Sequence, residues 1–338
     1  MTSKELVINA LNHKAVERFP RQIWSLPNVS MFKSKELYAF NKQYPSDIEG
    51  ANIQYGNSPY SKGTPNALGS YIDEFGSLWQ AAEAGIVGEV KKPVLENWKD
   101  LDNYKMPLEM LKNADFSLLK KQYAQSDKFI MAGTFVRPFE RMQFMRGSEN
   151  LFIDLAEGEE YVYRLAKLLH SFNCRNIEML ADAEVDGISF MDDWGAQVSM
   201  LISPVLWRSL FKPMYKDYID IIHSKGKYAF FHSDGCIEKI YPDMVELGLD
   251  AINSQLFCMD IEGLAEKYGD KITFWGEIDR QQTLPFGTVA DVNAAVDRVS
   301  SAIIKKNGKR TGAIAQCEWH SQNPLENIYA VFERWNEK

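Results

Sequence analysis

The segment order in these 338 residues predicts an α/β fold, a single (β/α)8 barrel of the TIM type, and three observations support this. Short apolar runs alternate with amphipathic helical stretches, as in βαβ units around a parallel sheet. The runs lack the polar alternation of half-exposed strands and so resemble strands buried on both faces. Nearly every run ends in polar chemistry, which is how a barrel builds its mouth; an open doubly wound sheet gathers its site at one switch point.

The elements follow in order. Lys4 to Leu11 predicts a helix, with Leu6, Val7, Ala10 and Leu11 at helical spacing. Residues 18–24, RFPRQIW, predict the first short strand. The stretch 41–70, rich in Asn, Ser, Pro, Gly and Tyr, predicts an irregular cap over the mouth, and Asp73 to Gly76 before Trp79 predicts a hairpin turn beside it. Residues 1–127 then form an N-terminal extension, first strand and cap, and 128–338 the regular β/α units of one domain. Those units hold the runs 129–135, 187–193, 228–234, 251–256, 273–279 and 312–319, with helices such as 204–226 and 237–248 between them.

Composition excludes several functions. Lys plus Arg is 38 and Asp plus Glu is 46, a net charge of −8, so a dense basic face for nucleic acid is not expected. No apolar run approaches the ~18–20 residues that span a bilayer. Met1 to Ala10 lacks the features of a signal peptide, so a cytoplasmic location is expected. Cys174, Cys236, Cys258 and Cys317 form no C-x-x-C pair and are expected as reduced thiols. Neither glycine-rich phosphate-loop pattern occurs, which argues against nucleotide chemistry.

The polar strand ends supply the candidate site. His232 and Asp234 lie two apart on one strand and therefore share a face. Imidazole and carboxylate both bind Zn2+. Cys317 on the last run completes a His, Asp and Cys set with an open position, as in a catalytic zinc site. Asp192 and Asp193 are adjacent acids, so only one need face the mouth. Asp193, Glu277 and His320 are the candidate catalytic groups. Asp192, Gln197 and Gln255 extend a polar rim for substrate, Arg137 and Arg21 are candidates for anion recognition, and Asp73 lies at the cap.

The chain resembles the uroporphyrinogen decarboxylase superfamily. The likeness runs through ELVINALNHKAVERFP, DEFGSLW, the GTF…RPFERMQFMRG segment, DGISFMDDWGAQ, LISPVLWRSLFKPMY, FHSDG, FWGEIDRQQTLPFGT and NPLENIYAVFE. It implies a (β/α)8 barrel with its site at the C-terminal mouth and barrels that pair as homodimers. The superfamily contains cofactor-free porphyrin decarboxylases, and also zinc methyltransferases that move a methyl group between a corrinoid and a thiol, ether or amine. The decarboxylases carry an RQAGR signature near the first strand, where this chain has Arg21-Gln-Ile-Trp24. Against the His-x-Cys…Cys zinc pattern of the methyltransferases, His232 matches the His, Asp234 replaces the first Cys and Cys317 matches the last. The resemblance thus implies a zinc methyltransferase for a small substrate, with methylcobamide carried by a partner protein because no Asp-x-His-x-x-Gly corrinoid motif is present. Its alternative is a metal-free decarboxylase of the porphyrin type.

Overall fold

Eight parallel strands wrap into a nearly closed barrel in the computed structural model, which describes residues 1–338. They are β1 (Arg21–Ser25), β2 (Ile48–Gly50), β6 (Phe129–Gly133), β7 (Gly187–Met191), β8 (Tyr228–Ser233), β9 (Ala251–Ser254), β10 (Thr273–Trp275) and β11 (Ala313–Trp319). Their order around the sheet is β1-β11-β10-β9-β8-β7-β6-β2. Three further strands, β3 (Gly69–Ile72), β4 (Leu78–Ala81) and β5 (Glu89–Lys92), form a separate antiparallel sheet, and Asp73 to Gly76 makes its first turn as expected. Gly76 has φ +99°, a backbone conformation that favours glycine at this turn.

Two elements differ from the sequence expectation. The stretch 41–70 is not wholly irregular: it contains β2, three residues long with Ile48 as its one large apolar side chain, too short for an apolar run to register. The helix expected over 204–226 is two helices, Pro204–Leu210 and Lys212–Ser224. Pro213 has no N–H to continue the first helix, so the ladder breaks at Phe211.

Alternation along the strands sorts the side chains into two cores. Outward-facing residues such as Ile130, Ile188, Phe231 and Ala315 join a cluster of 68 buried residues beneath the helices. Inward-facing Ile48, Phe129, Phe230, Trp275 and Ile314 fill the barrel's lower interior, and Val7 and Leu11 of the helix Ser3–Leu11 plug its N-terminal end. No helix is long and apolar enough to cross a membrane.

The seam between β1 and β2 is closed largely by one side chain. Asp47 is 1% exposed, and its backbone N–H donates to the Arg21 carbonyl at 2.9 Å. Its carboxylate accepts from the Arg21 N–H at 2.8 Å, from Ser3 Oγ at 2.7 Å and from both Arg18 terminal nitrogens at 2.6 and 2.7 Å. Asp47→Ala removes one partner of this buried pair and is expected to lower unfolding free energy by on the order of 3 kcal/mol, read as a drop in the urea midpoint.

Candidate functional site

His232 closes β8 on the inward face and is held by an uninterrupted buried chain. Asn253 Nδ2 donates to the Trp275 carbonyl at 2.5 Å and to Gln316 Oε1 at 3.1 Å. With both amide hydrogens taken, Asn253 presents its Oδ1 to His232 Nδ1 at 2.6 Å. Nδ1 therefore carries the proton of the neutral ring, and Nε2 turns a lone pair toward the mouth.

Two carboxylates face that nitrogen. Asp234 Oδ1 lies 3.4 Å and Asp193 Oδ1 3.8 Å from His232 Nε2. Taking one ligand atom from each residue, the three lie within 4.8 Å of one another. Asp234 Oδ1 is buried with no hydrogen-bond partner, while its Oδ2 is held by Arg280. Asp193 Oδ1 accepts the Asp234 N–H at 2.9 Å. Burial, followed by the charge of Asp234, pushes the Asp193 carboxyl above its ordinary range. A set of one imidazole and two carboxylates, oriented by Asn253 and Arg280 from behind, suits a divalent cation such as Zn2+. The loops bearing the two acids touch back to back. A Cβ on Gly195 would lie 2.3 Å from the Cys236 nitrogen, and one on Gly235 would lie 2.1 Å from the Gly195 oxygen.

His232 and Met191 stand between two spaces. Below them, inside the barrel, lies a chamber of about 280 Å3 walled by Trp24, Met131 and Trp275. On the other side opens a cleft of about 550 Å3 beside the β3–β4 hairpin. Six carboxylates and three guanidiniums, those of Arg137, Arg141 and Arg280, line the cleft. Arg280 is wholly engaged: it pairs with Asp234, with Glu318 at 2.9 Å and with Glu277 at 3.5 Å. Burial, with Asp193 nearby, pushes Glu140 up to about 7.

The structure separates the sequence candidates. It brings together His232, Asp234, Asp193, Arg137 and Glu277 at the mouth. Cys317 is not in the ligand group. It follows the outward parity of Ala315 and is fully buried in the outer core, where burial pushes its thiol well above its ordinary value. Its neighbour Glu318 takes the inward place. Arg21 begins β1 and so sits at the opposite, N-terminal end, donating to the Pro45 carbonyl at 3.0 Å. Asp192 is the capping acid of the pair: it accepts the Phe139 and Glu140 N–H groups and the Tyr215 hydroxyl at 2.7–2.8 Å.

Asp73 lines the cleft, but four donors occupy its carboxylate: Phe75 N, Ser77 N, Trp79 Nε1 and Arg141. It positions Arg141 and the hairpin and leaves little for a substrate. Gln197 lies on an exposed loop and lines neither space. His320 is tied to Asn28 at 2.9 Å and to the Gln322 N–H at 3.1 Å, outside both spaces. Gln255 is buried and accepts the Gly235 N–H at 3.0 Å, so it braces the loop of Asp234. Asn253, Glu140 and the chamber walls Trp24 and Trp275 were not among the sequence candidates. Asn253 carried a signal as a polar residue ending a strand, whereas inward-facing tryptophans look like core.

Two outcomes follow from this geometry. Gly195→Ala forces the β7 and β8 loops apart and is expected to cost about 1–3 kcal/mol by urea unfolding and to weaken divalent-metal binding in the same protein. Burial pushes Glu277 up to about 8 from 4.5, against the pull of Arg280. The folded protein then holds a proton that the unfolded chain has lost, so this group's contribution makes stability fall as pH rises from about 4.5 to about 8. Glu277→Gln removes that slope, and its stability relative to wild type is expected to rise between urea titrations at pH 5 and pH 8.

Comparison with known proteins agrees with the fold. The chain is similar over its whole length to a solved methyltransferase from Methanosarcina mazei, at 14% identity, covering 100% of this chain and 99% of that one with a TM-score of 0.71. Two xylanases are more distant. One, intracellular, from Thermoanaerobacterium saccharolyticum, has 8% identity, coverages of 90% and 86% and a TM-score of 0.40. The other, a GH10 enzyme from a sugarcane soil metagenome, has 10%, 71% and 82%, and 0.37. No curated protein matches. The family model described as uroporphyrinogen decarboxylase (URO-D) matches residues 73–337, and the chain belongs to that family.

Proposed function

We propose that the protein is a zinc-dependent methyltransferase that exchanges a methyl group between a small substrate and a corrinoid carried by a partner protein. The observation that carries this reading is the bare His232 Nε2 facing two carboxylates, one of them with an unpartnered buried oxygen, between an apolar chamber and an open cleft. His232 Nε2, Asp234 Oδ1 and Asp193 would hold the ion, with Cys317 left out of the expected set. When bound, the metal supplies Lewis acidity to the substrate atom that bears the methyl group.

The remaining work belongs to the chain. Asn253 keeps the imidazole in one tautomer. Arg280 holds one oxygen of Asp234 so that the other is offered singly. Burial holds the Glu140 carboxyl up to about 7 at the edge of the cleft, within reach of proton exchange near neutral pH. The chamber walls offer apolar contact to the uncharged part of a substrate. The surplus of carboxylates in the cleft works against the alternative, a decarboxylase of a polycarboxylated porphyrin, which needs guanidiniums in excess.

Protein purified without chelator is expected to contain zinc at near one ion per chain. His232→Ala and Asp234→Ala lose it and Cys317→Ala keeps it, as read by elemental analysis. Addition of reduced cobalamin and a methyl donor is expected to produce the methylcobalamin absorbance. Metal-free protein that converts uroporphyrinogen to coproporphyrinogen would overturn the reading.

A further inference from the structure

The helices Glu160–Ala181 and Lys212–Ser224 pack against each other outside the barrel, and none of their residues lines the chamber or the cleft. A polar cluster joins them that the proposed reaction does not use. His170, Cys174 and Glu178 stand four residues apart on the first helix and so share a face. Asp217 and Tyr218 come from the second.

The cluster is built from the inside outward. Asn173, 2% exposed, donates through Nδ2 to the Tyr218 hydroxyl at 3.2 Å. That hydroxyl lies 3.2 Å from His170 Nδ1. His170 Nε2 lies 3.1 Å from Asp217 Oδ2, and the Cys174 sulfur lies 3.7 Å from Nε2. Burying an amide and a phenol between helices costs free energy unless they are bonded, and here their bonds run outward to the ring. An imidazole, a thiol and a carboxylate thus meet at one nitrogen.

The separations and the charge both suit a metal ion. A tetrahedral zinc ion bound at about 2.0–2.3 Å to nitrogen, oxygen and sulfur keeps those atoms about 3.3–3.6 Å apart. The two separations at His170 Nε2, 3.1 and 3.7 Å, bracket that range. The Asp217 side chain is 58% exposed, so its carboxylate is free to swing toward the sulfur and close the third side. Lys216 pairs with Asp220 and Lys225 with Asp182, while no lysine or arginine pairs with Asp217 or Glu178. Burial pushes the Cys174 thiol up to about 11, and Asp217 and Glu178 push the same way.

We propose that His170, Cys174 and Asp217 form a second metal site, which takes a divalent ion of the zinc class on His170 Nε2, the Cys174 sulfur and the Asp217 carboxylate, with water in the fourth position. Thiolate and imidazole ligands favour zinc over magnesium or calcium. Binding releases the thiol proton to water and involves no oxidation or reduction. With Nε2 on the ion, Nδ1 carries the ring proton and donates to the Tyr218 oxygen, so the buried Asn173–Tyr218 pair steers the ligating ring. The ion ties the two helices together and stabilises the fold without touching the mouth. Its carboxylate side faces solvent, so it exchanges more readily than an ion at His232 and fills when metal is added to the purified protein.

The test is titration of the full chain with Cd2+, a zinc analogue whose bond to a thiolate absorbs in the ultraviolet. The group at Asp193, His232 and Asp234 contains no sulfur and gives no such band. Wild type and His232→Ala are both expected to show the band, saturating at one ion per chain, and Zn2+ is expected to displace it. Cys174→Ser loses it. His170→Gln and Asp217→Asn are expected to weaken Cd2+ binding by about tenfold or more. Asp217→Asn changes an exposed side chain and keeps the test decisive should a substitution nearer the core fold poorly. Zn2+ is also expected to raise the urea midpoint of His232→Ala but not that of the variant carrying both His232→Ala and Cys174→Ser. A band that survives Cys174→Ser, no band in wild type, or unchanged affinity in both His170→Gln and Asp217→Asn would overturn the inference.

Discussion

Side chains of a parallel strand point alternately into and out of a barrel, and the whole mouth depends on that alternation. On β8 it sends Phe230 and His232 inward and Phe231 into the outer core. On β11 it sends Ile314 inward and Cys317 outward, although Cys317 is level with the site. On β2 and β6 it aligns Gly50 and Gly133 with the inward row, and only there do glycines open a space under the imidazole. A shift of one residue in any of these strands would exchange the site for the core. The seam at Asp47 and the plug from the helix Ser3–Leu11 therefore matter to function by holding the register of a ring closed at one end.

His232 is positioned from below and charged from above. The Gln316–Asn253 chain is neutral, so it fixes the ring without altering the local charge. Above the ring the balance is reversed: Asp193 and Asp234 face each other across a short gap, and Arg280 neutralises only part of the surrounding acid. Rigid support beneath and only partly neutralised acid above together suit a cation.

Much of this was legible in the sequence. The strands after residue 128, the strand-end acids and the pairing of His232 with Asp234 follow from local pattern, because period-two geometry needs only the neighbours of a residue. What depends on closure was not legible. Cys317 and Glu318 are adjacent in the chain, and which of them faces in is decided by pairing with β1 and β10. Arg21 was a candidate for anion recognition at the mouth, but it begins its strand and lies at the other end. Asp192 and Asp193 could be told apart only when the N–H groups of Phe139 and Glu140 arrived from another element to claim the first. The two chamber glycines leave no trace in a hydrophobic pattern, since their meaning lies in what is missing around them.

The division of the mouth also accounts for the acidic surplus of the site. No carboxylate or guanidinium lines the chamber, so the charged groups around His232 are confined to the cleft side. Burial, with like charge from neighbouring acids, raises Asp193, Glu140 and Glu277 around it. A divalent ion at Asp193, His232 and Asp234 would relieve the pair nearest the ring, and the contact of Gly195 with Gly235 keeps their loops from separating before it arrives. The electrostatic cost of the metal-free mouth would then become affinity for a cation at the nitrogen that faces both spaces.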